Sequence, residues 1–182
     1  AITVTGTSLA TGLSVTGCEF RDNTSSLNFR RCVTGNATAA CLNDQVFSFN
    51  RIHSLGTTAL TTAVVHAAAS SRVQINDNFG VWAVLNDTPG LLEIGANNLL
   101  GLEFARNMGT RPNTSSTAGS FLGSSATGVT GYAYDNYFYH ADTTTESIWV
   151  GLLTGGAFGF TRNYLPVNFT ADLSAIEEPI AV

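Results

Sequence analysis

An asparagine recurs along this chain at a nearly constant interval: Asn50, Asn78, Asn107, Asn136 and Asn163, separated by 28, 29, 29 and 27 residues. A period of that length marks one structural unit stacked repeatedly, each copy burying its apolar side against the next. The segments around the asparagines are alike: VFSFNRI (46–52), VQINDNFG (73–80), LEFARNMG (102–109), GYAYDNYF (131–138) and AFGFTRNYL (157–165). SVTGCEF (14–20) fits 32 residues earlier, with Cys18 in the anchor place. Three residues before the anchors stand Val15, Phe47, Ile75, Phe104, Ala133 and Phe160; two after stand Phe20, Ile52, Gly80, Gly109, Phe138 and Leu165. Inward positions at −3, 0 and +2 break the two-residue strand period, so two short strands are expected to meet at a corner at the anchor.

A second apolar run lies between anchors: Leu27/Phe29, Ala63/Val65, Leu92/Ile94, Phe121/Leu122 and Ile148/Val150, each followed by small residues. Strand, corner, strand, turn and strand in 27–32 residues describe one coil of a parallel β-helix. The expectation is an all-β fold of about six coils over residues 1–167, followed by a non-repeat tail over 168–182. Successive coils lie about 4.8 Å apart. At that distance a buried anchor amide reaches the next coil, and asparagine tolerates the left-handed backbone that corners need. Residues 30–45 lengthen the first cycle and read as an out-looping insertion holding Arg30, Arg31, Cys32 and Cys41. TTALTTAVVHAAASS (57–71) is alanine-rich, but its Thr and Val and its place in the cycle favour strand then turn.

The residue before each anchor reads Gly17, Phe49, Asp77, Arg106, Asp135, Arg162. From Asp77 on the sign alternates, and stacking predicts an outward column of opposite charges. Asp77 and Asp135 would then stand roughly 10 Å apart, near the upper edge of the spacing for an inverting glycosidase pair. Arg106 between them would keep both ionised, which disfavours a general acid. His53 and His140, with Trp82, Arg111 and Tyr139 at similar offsets, are expected to share an exposed stripe suited to a sugar or a protein partner.

Composition narrows the function. The chain has no Lys, eight Arg and 13 carboxylates, for a net charge of −5. That leaves no basic face for nucleic acid. It contains no apolar run long enough for a membrane helix and no signal-peptide pattern, and it starts at Ala1 rather than Met. Three cysteines at irregular spacing read as reduced thiols, although Cys32 and Cys41 could close a small loop. No nucleophile-elbow, zinc-protease or P-loop motif is present, the last for want of a lysine, so no catalytic residue, cofactor or metal ligand is expected. The sequons at Asn23, Asn36, Asn86, Asn113 and Asn168 are expected from a Ser- and Thr-rich composition alone. No regular Thr-x-Thr ladder of the ice-binding kind is in register.

The segments VFSFNRIHSLGTT, VQINDNFGVW and YAYDNYFYHADTTTESIWVGLLTGGAFGFTRNYL resemble coils of right-handed β-helix proteins encoded in tailed-bacteriophage structural gene clusters, over about residues 13–167. Some of these are similar to capsid decoration (cement) proteins that sit as trimers on the head. The resemblance implies a non-enzymatic virion protein on the capsid surface, made in the host cytoplasm. Its partner would be the major capsid protein, with no nucleic acid and no membrane. The alternative is a tailspike or fibre domain that binds or depolymerises host polysaccharide, with a glycan as partner. Candidate interface residues are Arg30, Arg31, Trp82, Arg111, His140 and, on the tail, Phe169, Leu173 and Ile176.

Overall fold

A computed structural model describes residues 2–4, 11–22, 32–35, 43–54, 63–66, 69–82, 89–95, 98–111, 120–124, 128–140 and 158–164. The tail with Phe169, Leu173 and Ile176, and the arginines Arg30 and Arg31, lie outside them.

The described residues form strands and no helix. In chain order they are β1 (Ile2–Val4), β2 (Ser14–Thr16), β3 (Glu19–Asp22), β4 (Val33–Gly35), β5 (Val46–Ser48), β6 (Arg51–Ser54), β7 (Val64–His66) and β8 (Ser70–Asn76). Then follow β9 (Phe79–Trp82), β10 (Pro89–Ile94), β11 (Leu99–Ala105), β12 (Met108–Arg111), β13 (Ser120–Ser124), β14 (Val129–Tyr134), β15 (Tyr137–His140) and β16 (Phe158–Thr161). They make three parallel sheets. The first is ordered β1-β4-β7-β10-β13, the second β16-β14-β11-β8-β5-β2 and the third β15-β12-β9-β6-β3. Up to β15, each strand pairs with the one three places later in the chain, so one sequence period supplies one strand to each sheet. The architecture is all-β and parallel.

Register follows the period. In the second sheet Val15, Phe47, Ile75, Phe104, Ala133 and Phe160 are successive partners. In the third, Phe20, Ile52, Gly80, Gly109 and Phe138 are. Both columns run through the core, where large and small residues interdigitate. Phe20 stacks on Phe47 with centroids 6.0 Å apart, and Phe104 meets Phe138 at 6.2 Å. Burying a side chain of this size contributes roughly 1.5–3 kcal/mol.

The first sheet departs from the sequence expectation. Its core column is Val33, Val64, Leu92 and Leu122. Val64 rather than Ala63 or Val65 faces Leu92, and Val33 takes the place expected of Leu27 or Phe29. Residues 33–35 are therefore a sheet strand and not part of an out-looping insertion. The cause is burial: Cys32 and Val33 are fully enclosed, and both backbone amides donate to the Ala63 carbonyl. Burial pushes the Cys32 thiol up to about 12, which keeps it protonated and unreactive. Over 57–71 the described part is strand β7 and the start of β8, as the β-branched residues suggest.

One core residue conflicts with its surroundings. Gln45 lies fully buried in the line of Leu13 and Val73, and among the described residues neither Nε2 nor Oε1 has a hydrogen-bond partner. An unpaired buried polar group costs about 1–3 kcal/mol. Methionine follows the same unbranched path and removes both polar groups, so Gln45→Met is expected to raise the melting temperature in calorimetry. An unchanged or lower melting temperature would mean that the amide is satisfied in solution.

Candidate functional site

The anchors explain how the corners are held. Asn50, Asn78, Asn107 and Asn136 are 1–2% exposed, and Asn163 at the last rung is partly buried. From Asn78 on, each Oδ1 accepts two hydrogen bonds from the preceding repeat, one from the anchor amide and one from the anchor side chain. For Asn107 the donors are Asn78 N at 3.1 Å and Asn78 Nδ2 at 3.0 Å. For Asn136 they are Asn107 N at 2.9 Å and Nδ2 at 3.0 Å. Each Nδ2 also donates to a carbonyl of the preceding repeat: Asn78 to Phe47, Asn107 to Ile75, Asn136 to Phe104 and Asn163 to Ala133. At the first rung Cys18 donates only its backbone amide, to Asn50 Oδ1 at 2.9 Å.

The left-handed residue of each corner is not the asparagine but its predecessor. Positive φ falls on Gly17, Phe49, Asp77, Arg106, Asp135 and Arg162, between 48° and 67°. That kink directs the anchor amide to the side-chain oxygen of the next repeat instead of a backbone carbonyl, and only a side chain with both an acceptor and a donor closes both gaps.

The kinked residues carry the charge column, resolved into two pairs. Arg106 grips Asp77 bidentately at 2.8 and 2.9 Å, and Arg162 grips Asp135 at 2.7 and 2.9 Å. The Arg106 guanidinium also lies 5.8 Å from the Tyr134 ring centroid. Each carboxylate of the sequence-derived Asp77/Asp135 pair has both oxygens on an arginine, which suits structural pairing and not proton transfer. The hydrogen bond from Arg162 holds Asp135 below the usual aspartate range. A second corner repeats the device. Asp44 and Arg72 have φ of 54° and form a bidentate pair, which lowers Asp44 in the same way. Sequence reading missed that pair, although Asp44 and Arg72 are 28 residues apart, the same step as Asn50 to Asn78.

Two outcomes follow from the columns. Arg106→Glu removes the Asp77 pair and sets like charges side by side. It is expected to cost about 1 kcal/mol at low salt and less at high salt, read from urea midpoints. A midpoint that does not depend on salt would exclude the pairing. Because Asp44 and Asp135 are depressed when folded, their contribution is present above the ordinary carboxylate pKa and is lost as pH falls below about 4. Thermal melts from neutral to acid pH should therefore decline on the acid side, and Asp135→Asn should flatten the decline.

Outside the corners, the third sheet presents one row of large side chains. The residues just after the anchors are Glu19, Arg51, Phe79, Met108, Tyr137 and Tyr164, partners in successive strands or bridges. Met108, Tyr137 and Tyr164 are 47%, 42% and 51% exposed, and the two tyrosine rings stack at 4.5 Å with 8° between planes. The other end of the row is charged: Glu19 holds Arg21 at 2.6 Å, and His53 in the adjoining row meets the Phe79 ring edge-on at 6.4 Å. This row is the candidate contact surface. Shifting the alignment by one residue from the anchors would have found it.

The stripe expected of His53, His140, Trp82, Arg111 and Tyr139 divides between two register positions. His53 partners Val81, and Tyr139 partners Thr110. One step on, Trp82 partners Ser54, and Arg111 partners His140. Among the described residues no three His, Cys, Asp or Glu side chains are grouped to hold a metal.

Fold and surface together define a class: an all-β chain of stacked parallel strands, pinned by an internal asparagine ladder, with an exposed aromatic row along one sheet. No family model, curated protein or solved structure matches the chain.

Proposed function

We propose that the three sheets are the walls of a right-handed parallel β-helix, and that the chain is a non-enzymatic structural protein of a tailed-phage virion. In this reading it is a homotrimer that decorates the capsid and strengthens it by bridging major capsid protein subunits. Right-handed connections are the rule where parallel strands of one sheet are joined by a crossover. The observation that carries the functional reading is the row Met108, Tyr137 and Tyr164, large and exposed on a sheet whose backbone is fixed by register. Exposed aromatic rows of this kind suit protein contact better than solvent. Closed symmetry is the usual way in which such faces meet.

The test is co-sedimentation of the full chain with purified phage heads, with its mass measured by analytical ultracentrifugation. Binding to heads that is lost in a Tyr137→Ala/Tyr164→Ala variant, and in a chain lacking 168–182, is the expected result. Failure to bind heads would defeat the capsid reading. Cleavage of host capsule or lipopolysaccharide by the intact protein would move the function to a tailspike.

A further inference from the structure

One residue of the corner column is not explained by its place. Phe49 takes φ of 56°, a conformation that costs a bulky side chain more than it costs glycine or aspartate. The other kinked residues of that column are a glycine or members of the two ion pairs. Phe49 is instead 64% exposed, and nothing stands within 4 Å of a Cβ built at Gly17 in the preceding repeat. Arg51, two residues on, is exposed as well. Arg21, Arg72, Arg106 and Arg162 are each held by a carboxylate, whereas Arg51 is in no ion pair among the described residues. Its register neighbour Glu19 is taken up by Arg21. Phe49 and Arg51 thus form a knob of the side-chain types enriched in protein interfaces.

A surface that fits the knob lies at the other end of the same strands. β5, β8 and β11 run from the kinks at Asp44, Arg72 and Gly101 to those at Phe49, Asp77 and Arg106. At the first of these ends a groove of about 430 Å³ is lined by Asp44, Val46, Arg72, Gln74, Gly101 and Glu103. Val46 supplies an apolar surface, and Gly101 adds no side chain to fill the space. Two carboxylates stand with one guanidinium, which leaves one negative charge in excess. Glu103 Oε1 accepts from Tyr134 Oη at 2.6 Å, and Oε2 has no partner among the described residues.

We infer that the knob of one chain seats in the groove of a second copy, with Phe49 over Val46 and Arg51 on Glu103, and that three such contacts close the homotrimer around the second sheet. The two patches differ, so the contact is heterologous, and it closes into a ring only where knob and groove overlap in level along the stack. They do. Phe49 follows the strand that Val46 starts, and Glu103 stands two repeats, about 10 Å, further along. An extended arginine and a glutamate cover that span between them. The inference rests on the homotrimer of the proposed function, and it leaves the aromatic row of the third sheet to the capsid.

Analytical ultracentrifugation of the full chain reads the mass, with circular dichroism to monitor folding. The wild type should sediment as a trimer. Arg51→Glu and Phe49→Gly should each weaken association at least about tenfold. Glycine suits the left-handed corner, so Phe49→Gly should keep the fold while losing the assembly. Glu103→Arg should weaken association too, and the double variant Arg51→Glu/Glu103→Arg should regain the trimer, a rescue that a purely structural role of either residue would not give. Tyr137→Ala/Tyr164→Ala should leave the mass unchanged. A trimer that persists in both Phe49→Gly and Arg51→Glu would overturn the inference while the homotrimer stood, as would a double variant that stays dissociated or a trimer lost only in the tyrosine variant. A monomeric wild type would overturn the homotrimer and this interface together.

Discussion

Asn107→Ala should lower the urea midpoint far more than a surface substitution does, by an amount equivalent to about 3–5 kcal/mol. The estimate follows from the groups it strands. Asn78 N and Nδ2 lose their common acceptor, and the Ile75 carbonyl loses its donor at 2.7 Å. All lie in the core, so water cannot replace the partner without opening the corner. Position in the ladder sets the size of the effect. Asn163→Ala, at the partly buried last rung, removes the acceptor of Asn136 but lies nearer solvent and should cost less. Equal effects at 107 and 163 would show that the rungs act singly and not as a buried network.

Gly131→Ala is the second large effect expected, and its cause is steric. Gly131 has φ of 140°, and a Cβ there would stand 2.0 Å from the Leu102 carbonyl oxygen and 2.6 Å from the Leu102 nitrogen. Both are backbone atoms of the neighbouring strand, so no rotamer change relieves the overlap. The glycine sits where β11 has one residue more than β14 between the partners Leu99↔Val129 and Leu102↔Gly131. Such a bulge relies on backbone that an L side chain rarely adopts. The cost should reach about 3 kcal/mol or more, seen as a large drop in melting temperature or as insoluble protein. Gly159→Ala makes a useful contrast. The overlap there is with the movable Tyr132 ring, so stability should change little while the ring tilts.

Much of the fold was legible because, in a stacked repeat, spatial neighbours are sequence neighbours at a fixed offset. The offsets −3, 0 and +2 from each asparagine became three columns of the structure, and the alternating charges before the anchors became two bidentate pairs. Hydrophobic pattern was weaker in the first sheet. There the expected pair was Ala63 and Val65, and the residue that partners the anticipated Leu92 is the one between them, Val64. The candidate surfaces were less visible still. Met108, Tyr137 and Tyr164 are ordinary apolar residues in sequence, and only their shared outward register makes them a row.

By itself, then, the sequence determined the period, the residue that marks each corner and the core columns on either side of it. These follow from local chemistry repeated at one interval: an amide that both donates and accepts, flanked by apolar side chains. The tertiary structure alone decided which residue of each corner takes the left-handed backbone, how Asp44 finds Arg72, where one strand gains a residue and what lies open on the outer faces. Those outcomes depend on the alignment of one repeat with the next, and a bulge of a single residue shifts that alignment while leaving the sequence period almost unchanged.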